Sequence, residues 1–359
     1  MRRIGAQIDD ETLDRALRRW SRTALAFDIY VGRDRYEFFH SKEVPGALVA
    51  FRNYGKADAV LGEVLAPEEH LQAVCREYFS DRIARRRAVL GFSVPRSFAE
   101  AAVEAGAAAV QFTAEPELDP AHYKPSGKHA KKLRSYVKRL RLAGVEGVEA
   151  EKATSSAAFR HSADHLIDTW LAHGPPRNSH LLEVDPWIGS EHKRYFAVPN
   201  PEEPNQLWSL LIAHPIWARS GWHLCHLMHA PEAPRGVNEL AVLTAIERLG
   251  EEGCRYATFG PFSSPTAGNF LGFGRIWHPL LKYIYDTVAR RVGYAHTLEF
   301  YEKVQAPPWA DRYMVMTPRH FPVRALGALM ELTHVLGTHG RHPVLGHPPR
   351  GKHRATQFA

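Results

Sequence analysis

The sequence predicts a mixed α/β protein, built from two successive units of strands and helices that are joined by a basic helix. Three observations lead to this fold class. Strand-like and helix-like segments alternate in the first half, a similar element order returns in the second half, and a basic segment separates them. Because strands at short spacing usually pair antiparallel, we expect mixed, mostly antiparallel sheets. The expected boundaries are 1–24 for an N-terminal helix, 25–126 for the first unit, 127–144 for the basic helix, 145–320 for the second unit, and 321–359 for a C-terminal helix with a basic tail.

The elements of the first unit follow from local patterning. An amphipathic helix with Leu13, Leu17 and Trp20 on one face precedes four strand-like runs. These runs are LAFDIYV, YEFFH, ALVAFRNY and DAVLGEVL, with glycine or charged residues at the turns. A helix then begins at Pro67 and ends near Arg87. The segments AVLGFSV, PRSFAEAAVEAG and AAAVQFT predict a strand, a helix and a strand in that order.

The second unit has a comparable order after the basic segment. A helix is expected around 156–172, and the segments QLWSLLIAH and GWHLCHLMH predict a hairpin. The segment NELAVLTAIERLGEEG predicts a helix that ends at Gly253, because apolar residues line one side and glycine favours a helix end. A strand CRYATFG, a glycine-rich loop, a helix at about 277–292 and a closing strand RYMVM complete the unit.

Composition and charge narrow the classes of function. Lys and Arg total 46 against 39 Asp and Glu, which gives a net charge of +7. The segment 127–144 holds seven of these bases and no acid, so the excess is local and favours a polyanionic partner. Three scattered cysteines, no apolar leader and no membrane-spanning run predict a reducing, cytoplasmic location.

The basic segment fits a helix that packs one face and exposes the other, with Ser126 as a candidate cap and Gly144 as the stop. Leu133, Val137 and Leu140 make an apolar stripe at spacings of four and three. The bases form two ridges beside this stripe, and we call these seven residues the basic face: Lys128, Lys131, Lys132, Arg134, Lys138, Arg139 and Arg141. Solvated helices normally mix charge signs, so the basic face favours a nucleic acid or an anionic lipid surface over mere solubility.

Two motifs contain histidines at short spacing, and their geometry argues against a metal site. In HLCHLMH, 223–229, regular strand alternation puts His226 on the face opposite His223 and Cys225. His223 and His229 would also lie roughly 20 Å apart at ~3.3 Å per residue. The helical motif HSADH lacks the glutamate of HExxH. We therefore expect no metal.

Three segments are candidates for substrate contact. The loop FGPFSSPTAGNFLGFG, 259–274, follows a strand, where binding sites commonly form, although a plain connection is the alternative. Glu239 lies in the first turn of a predicted helix, where the helix dipole favours a carboxylate with or without a chemical role. In LEFYEKVQAPPWADRYMVM, 298–316, Lys303 and Arg312 flank a rigid diproline turn and are suited to bind an anion or to form an edge salt bridge.

Four segments in this order resemble the soluble catalytic domain of the phosphatidylglycerol lysyltransferase family, whose relatives also aminoacylate sterols. They are YEFFHSKEVPGALVAFRNYGKADAVLGEVLAPEEHLQAVCREYF, SGKHAKKLRSYVKRLRLAG, GVNELAVLTAIERLGEEGCRYATFGPFSSP and LEFYEKVQAPPWADRYMV, within roughly 25–316. The resemblance implies two tandem acetyltransferase-like (GNAT-like) subdomains. It also implies transfer of an aminoacyl group from aminoacyl-tRNA, as co-substrate, to a membrane lipid hydroxyl, with no cofactor. Because the usual membrane-spanning region and a fused tRNA synthetase are not seen, we expect a freestanding form.

The resemblance also implies roles for individual residues. Glu239 matches the family's acidic residue at the start of the core helix, and Lys303 and Arg312 match its closing basic positions. Glu239 or His229 would act as the base, and Lys303, Arg312 or backbone N–H groups of 260–270 would stabilise the oxyanion. The expected substrate-binding residues are Asn238, Tyr256, Ser263, Ser264, Asn269 and Tyr301.

The same resemblance gives the basic face a partner. It would bind the tRNA acceptor arm through phosphates, with an anionic membrane surface as the alternative. An amphipathic helix near 321–337 would rest on the inner face of a membrane or simply pack on the body.

One departure from the family pattern leaves substrate choice open. Family members usually have an arginine pair after the methionine of the second hairpin strand, whereas Met228 is followed here by His229 and Ala230. We therefore expect the contacts to the amino acid or the lipid head group to differ. Two other classes of function stay open, an acyl-CoA-dependent N-acetyltransferase and a non-catalytic RNA- or membrane-binding module. The missing RxxGx[GA] spacing counts against the acetyltransferase.

Overall fold

The computed structural model describes residues 8–333, except for 63, 151–155, 174–184, 204, 264–267, 293–299, 301, 305–308 and 320–322. Within these residues the helices are α1 Asp10–Trp20, α2 Ala26–Val31, α3 Leu71–Ala84, α4 Arg96–Glu104, α5 Lys131–Leu142, α6 Ala157–His173, α7 Val237–Glu251, α8 His278–Val292 and α9 Val323–Thr333. The strands are β1 Glu37–His40, β2 Leu48–Tyr54, β3 Ala57–Leu61, β4 Val64–Leu65, β5 Ala88–Val94, β6 Ala108–Glu115, β7 Glu117–Leu118, β8 Val148–Glu149, β9 Arg194–Pro199, β10 Leu207–Ile216, β11 Gly221–His229, β12 Ala257–Thr258, β13 Phe262–Ser263, β14 Phe270–Leu271 and β15 Ala310–Met316. The strands form two mixed sheets, as the sequence predicts.

The first sheet has the order β1-β2-β3-β5-β15-β6-β13, with β4 paired to β2 and β14 paired to β6. The pair β3–β5 is parallel, because α3 carries the chain from one strand to the next across a face of the sheet. The remaining described pairs in this sheet are antiparallel. Every residue of β5 is buried, as expected for a central strand covered on both faces.

The second sheet has the order β7-β12-β11-β10-β9-β8. The pair β11–β12 is parallel, with α7 as the crossover helix, and the other described pairs are antiparallel. This arrangement brings the start of α7 next to the end of β11, which is where the predicted residues Glu239 and His229 lie.

Each half of the chain contributes a strand to the sheet formed mainly by the other half, so the two units are not simply arranged one after the other. The segment RYMVM was expected to close the second unit, but β15 lies between β5 and β6 of the first sheet. In the opposite direction, β7 from the end of the first half pairs with β12 of the second sheet. The alternating pattern of a strand does not specify its partner, because pairing depends on contacts between residues distant in sequence.

Two local predictions are wrong. LAFDIYV was expected to be a strand, but α2 covers most of it and ends where the Gly32 N–H donates to the Asp28 carbonyl over 3.0 Å. A short apolar run does not by itself distinguish a buried helix from a strand. The basic helix begins at Lys131 after an Ala130 N-cap, not at Ser126, and no side chain bonds to its first turn.

The strand that carries HLCHLMH is irregular, and this overturns the predicted alternation. His223 pairs with His214 and Leu224 with Ala213, but His226 pairs with Ile212, so Cys225 is the extra residue of a β-bulge. A bulge shifts the alternation of side chains by one position. His226 therefore lies on the same face as His223 and His214, not on the opposite face.

Helices pack on both faces of each sheet. Helices α1, α2 and α9 share one hydrophobic cluster with the first sheet, and α3 and α4 pack on its other face. Helices α5 and α7 pack on one face of the second sheet, and α6 packs on the other. The stripe Leu133, Val137 and Leu140 is buried in the cluster with α7, as predicted. Within the described part of the chain, no helix is both long enough and apolar enough to cross a bilayer.

Candidate active site

A cavity of about 640 Å³ opens beside β7 of the second sheet and the start of the basic segment. Its wall is formed by β7, the turns at 119–130, residues 255–256 and residues 302–304. The wall includes these charged and polar side chains: Glu117, Asp119, His122, Lys124, His129, Arg255, Tyr256, Glu302 and Lys303. Two of the residues predicted from sequence, Tyr256 and Lys303, therefore line the same cavity.

Lys303 is paired with Glu239, so the fold joins two predicted catalytic residues. The Lys303 Nζ atom lies 3.1 Å from Glu239 Oε1, and the side chains are 18% and 8% exposed. Glu239 is in the first turn of α7, where the helix dipole favours its negative charge. The Tyr123 hydroxyl donates to the Val304 carbonyl over 2.7 Å, which holds the Lys303 segment against the cavity.

Arg312 lies deeper and is bound to a carboxylate that sequence reasoning missed. Its Nε and Nη2 atoms lie 2.7 Å and 2.6 Å from Glu115 Oε2, and the side chains are 9% and 1% exposed. The Thr258 hydroxyl donates to the other Glu115 oxygen over 2.9 Å. Burial alone would lower the pKa of Arg312, but Glu115, Tyr256 and Glu117 raise it, so the guanidinium stays charged.

Glu117 links this buried pair to the cavity. Arg312 Nη2 lies 3.5 Å from Glu117 Oε1, and the Tyr256 hydroxyl donates to the same oxygen over 2.9 Å. Burial, reinforced by Glu115, raises the pKa of Tyr256, so its hydroxyl remains a hydrogen-bond donor. The Arg219 guanidinium covers the Tyr256 ring at 4.2 Å. Arg312 therefore influences the cavity through Glu117, rather than by lining it.

His229 belongs to a different polar group at the end of β11. Its Nδ1 atom lies 3.0 Å from Asn238 Nδ2, and Asn238 Oδ1 accepts from the Ser209 hydroxyl over 2.8 Å. The imidazole is exposed, and the Ser209–Asn238 chain fixes its orientation. The structure thus places Asn238 with His229, while the neighbouring Glu239 points to Lys303.

The structure does not place the other predicted substrate-binding residues at the cavity. Asn269 is tied to β6, where its N–H donates to Gln111 Oε1 over 3.0 Å and its carbonyl accepts from the Gln111 N–H over 2.9 Å. It is not among the residues that line the cavity. Ser264 and Tyr301 lie outside the described residues, and only the backbone of Ser263 is described, as part of β13.

All seven side chains of the basic face are exposed, but Lys128 lies in the turn before the helix and not on a helical ridge. Arg134, Arg139 and Arg141 also have structural partners. Arg134 donates to the Pro125 and Gly127 carbonyls over 3.0 Å and 3.2 Å, and Arg139 donates to the Arg235 carbonyl over 2.9 Å. Arg141 pairs with Glu247 over 2.7 Å. Residues 124–127, 129 and 130 line the cavity, so the basic face begins beside the cavity rim, with Lys128 between two lining residues.

Glu115 and Glu117 are the site residues that sequence reasoning missed. They lie two positions apart in AEPEL, with Glu115 at the end of β6 and Glu117 at the start of β7. A carboxylate at a buried strand position usually has a cationic partner, and this was the available signal. The identity of that partner, Arg312, depends on the return of β15 to the first sheet.

Known structures share this fold. A structure of L-PGS from Bacillus licheniformis superposes with a TM-score of 0.74 at 18% identity, over 93% of this chain and 99% of that one. The C-terminal domain (DUF2156) of a putative lysylphosphatidylglycerol synthetase from Agrobacterium fabrum superposes with a TM-score of 0.70 at 13% identity, over 92% and 98% of the two chains. At these identities the similarity shows a shared fold.

Sequence comparison assigns the family. No curated protein matches the chain significantly. The family model for "Phosphatidylglycerol lysyltransferase, C-terminal" matches residues 16–316, which include both sheets, the basic face and the cavity. The chain therefore belongs to the phosphatidylglycerol lysyltransferase C-terminal family, a family of lipid aminoacyltransferases.

Proposed function

We propose that this protein transfers an aminoacyl group from aminoacyl-tRNA to a hydroxyl group of a membrane lipid such as phosphatidylglycerol or a sterol. The observation that carries the proposal is that Lys303, which pairs with the buried Glu239, lines a cavity that adjoins the start of the basic face. An anionic carrier on the basic face would thereby have its reactive end close to a cation and a carboxylate.

The basic face supports a nucleic-acid carrier. Phosphate binding needs charge at the correct spacing and requires no reading of bases. Lys128, Lys131 and Lys138 are exposed, and among the described residues none of them has a carboxylate partner. Their charge is therefore available to phosphates, whereas Arg141 is already neutralised by Glu247.

The chemistry can proceed with the residues at the cavity. In an aminoacyl-tRNA the amino acid is held as an activated ester, so transfer to a hydroxyl needs no ATP. The lipid hydroxyl oxygen attacks the ester carbonyl, and its proton is relayed to Glu239, which pairs with Lys303 behind the cavity wall. Lys303 stabilises the oxyanion of the tetrahedral intermediate. When that intermediate collapses, the ester bond to the tRNA ribose breaks, and the ribose oxygen leaves as a hydroxyl by taking the proton that Glu239 received from the lipid.

An exposed apolar surface supports a membrane-bound acceptor. Helices α8 and α9 pack on one hydrophobic cluster of the first sheet, α8 through Tyr285. The two helices and the turn before α8 carry large apolar residues that are between 40% and 85% exposed: Ile276, Leu280, Tyr283, Val323, Leu326 and Met330. Exposed apolar stripes on amphipathic helices are typical of proteins that rest on a lipid surface. We therefore propose peripheral attachment to the inner face of a membrane.

A reconstituted assay tests the proposal. The purified chain is incubated with a pool of aminoacyl-tRNAs, labelled in the amino acid, and with vesicles containing phosphatidylglycerol or a sterol. We expect labelled lipid whose formation stops when RNase is added first. The Lys303→Met variant should lose at least about 100-fold of kcat/KM, as expected for removal of an oxyanion donor. Lys56→Met, at an exposed turn between β2 and β3, is the matched control. If no RNase-sensitive aminoacyl lipid forms with any tRNA, the proposed function is wrong.

A further inference from the structure

A cluster of histidine and cysteine side chains lies on the β10–β11 strand pair, outside the residues assigned to transfer. One ligand atom from each of His214, Cys225 and His226 lies within 4.8 Å of the others. The bulge at Cys225 is the structural cause, because it turns His226 to the face that already holds His214 of the neighbouring strand. A regular hairpin with the same sequence would separate these donors.

The distances suit a single small metal ion. Tetrahedral zinc has Zn–S bonds of about 2.3 Å and Zn–N bonds of about 2.0–2.1 Å, so its ligand atoms are roughly 3.5 Å apart. Atoms that already lie within 4.8 Å reach that spacing through small side-chain rotations. The donor set of two imidazoles and one thiol is typical of zinc and similar d-block ions, and not of magnesium or calcium.

His214 provides an independent indication of a missing ligand. The residue is only 4% exposed, and neither of its ring nitrogens has a hydrogen-bond partner among the described residues. A buried polar group without a partner is costly, so such groups in native proteins usually bind water or an ion. The His214 ring packs against Phe27 at 4.7 Å and His226 at 5.4 Å, which holds it close to the other donors.

The cluster is also within reach of solvent, because Cys225 and His226 are partly exposed. Lys193 lies near enough to act on all three donors, and its positive charge alone would disfavour a cation. The carboxylate of Asp28 lies near the same thiol and offsets the charge of Lys193.

We propose that His214, Cys225 and His226 bind one zinc-class divalent ion, with a water as fourth ligand. The ion cross-links β10 and β11 beneath α2, whose Phe27 covers His214. Binding releases the thiol proton of Cys225 and leaves both histidines as neutral ligands. This role is structural and is independent of the proposed aminoacyl transfer.

The test uses the full-length protein, stripped with a chelator and titrated with Zn²⁺ or Co²⁺. We expect one Zn²⁺ per chain, a rise in Tm with Zn²⁺, and, with Co²⁺, a thiolate-to-metal charge-transfer band together with the strong visible bands of tetrahedral cobalt. Cys225→Ser and His226→Gln should each weaken Zn²⁺ binding by more than about 100-fold, since even partners of ligands contribute about 10–100-fold.

Matched controls separate this site from other thiols and histidines. Cys254→Ser and His161→Gln change a partly exposed cysteine and an exposed histidine elsewhere, and they should bind Zn²⁺ like the wild type. Circular dichroism of each apo variant verifies folding. Absence of stoichiometric Zn²⁺ and of the charge-transfer band in the wild type overturns the proposal. Unchanged affinity in folded Cys225→Ser and His226→Gln variants overturns it as well.

Discussion

At the scale of single residues, Arg312 illustrates how position changes a role inferred from residue type. The sequence suggested a cation that stabilises an oxyanion or forms an edge salt bridge. In the fold, Arg312 bonds to Glu115, whose side chain is 1% exposed, and the pair lies behind the cavity wall. An oxyanion donor has to reach the reacting atoms, and among the described residues Lys303 lies on the wall and Arg312 does not. A direct catalytic role for Arg312 stays a prediction.

The buried pair gives a first prediction. Arg312→Met should lower the free energy of unfolding by about 3–5 kcal/mol, because it leaves the Glu115 carboxylate buried without its partner. Adding Glu115→Leu should recover a large part of that loss, since no uncompensated charge then remains. Urea unfolding of the single and double variants measures both effects. Additive losses in the double variant would show that the two residues are not coupled.

A second prediction concerns the pH dependence of the cavity wall. Burial raises the pKa of Tyr123 from 10.0 to about 12, and its hydroxyl donates to Val304. Because the pKa is higher in the folded state, the folded protein holds the proton more tightly. This contribution to stability is complete below pH 10 and is lost as the pH rises through 12.

Thermal unfolding of the wild type and of Tyr123→Phe between pH 8 and pH 12 measures this effect. Below pH 10 the variant should be less stable by about 1 kcal/mol, the typical value of one hydrogen bond. The difference should shrink between pH 10 and pH 12, since the wild type alone loses the Tyr123 contribution. Other titrating groups, such as Lys193, cancel in the comparison. A difference that does not change with pH would contradict the prediction.

At the scale of elements, the basic helix is where sequence reasoning was most successful. The stripe and the basic face follow from a period of 3.6 residues, which the chain encodes locally. The beginning of the helix was misplaced, because the turn before it is held by contacts that a pattern does not show. Gly127 has a φ of +72°, and Arg134 bonds back to two carbonyls of this turn. Arg134 therefore shapes the cavity rim in addition to any contact with a phosphate.

Because Arg134 holds the turn at the cavity rim, a test of tRNA binding should leave this residue unchanged. Lys128, Lys131 and Lys138 should be changed together to Ala, with Arg134 kept so that the turn at the rim is preserved. We expect weaker tRNA binding, and a salt dependence that is shallower by roughly 0.7–0.9 for each phosphate that the helix no longer neutralises. Changing the exposed Lys42, Lys56 and Arg76 to Ala removes the same charge from the first sheet and serves as the control. Equal slopes for the two triple variants would exclude the basic face from the tRNA path.

At the scale of the whole molecule, the two sheets depend on each other. The central strand β15 of the first sheet comes from the far end of the described chain, and β7 of the second sheet comes from the first half. The cavity lies where this exchange occurs, with Glu117 of β7 on its wall. The site therefore forms only when the entire domain has folded, because the residues that line it are spread from 117 to 304.

The exchange predicts cooperative unfolding. Because neither half contains a complete sheet, heating should give one transition with equal calorimetric and van't Hoff enthalpies. A fragment of residues 1–144 lacks β15 between β5 and β6, so it should show no cooperative transition. Differential scanning calorimetry of both chains is the measurement. Two resolved transitions in the full chain, or a fragment that unfolds cooperatively, would contradict the prediction.

Prediction from sequence succeeded for features set by short-range interactions along the chain and failed for features set by long-range ones. The strands YEFFH, ALVAFRNY and AVLGFSV, the helix at 237–251 and the packed face of the basic helix were predicted, since each depends on neighbours a few residues apart. The partners of RYMVM and of Glu115 were not predicted, since each depends on residues about 200 positions away. The bulge at Cys225 was missed for a related reason, because it is a property of the strand pair.

The sequence by itself determined the α/β class, the exposed basic face and the family, since periodicity, local charge and ordered motifs are all carried by contiguous residues. Only the tertiary structure decided that Lys303 meets Glu239 at a cavity, that Arg312 is held by Glu115, and that His226 joins His214 and Cys225. The physical reason is that these groups are positioned by strand order and register. Both are fixed by burial of apolar faces across the whole molecule, and not by local preference.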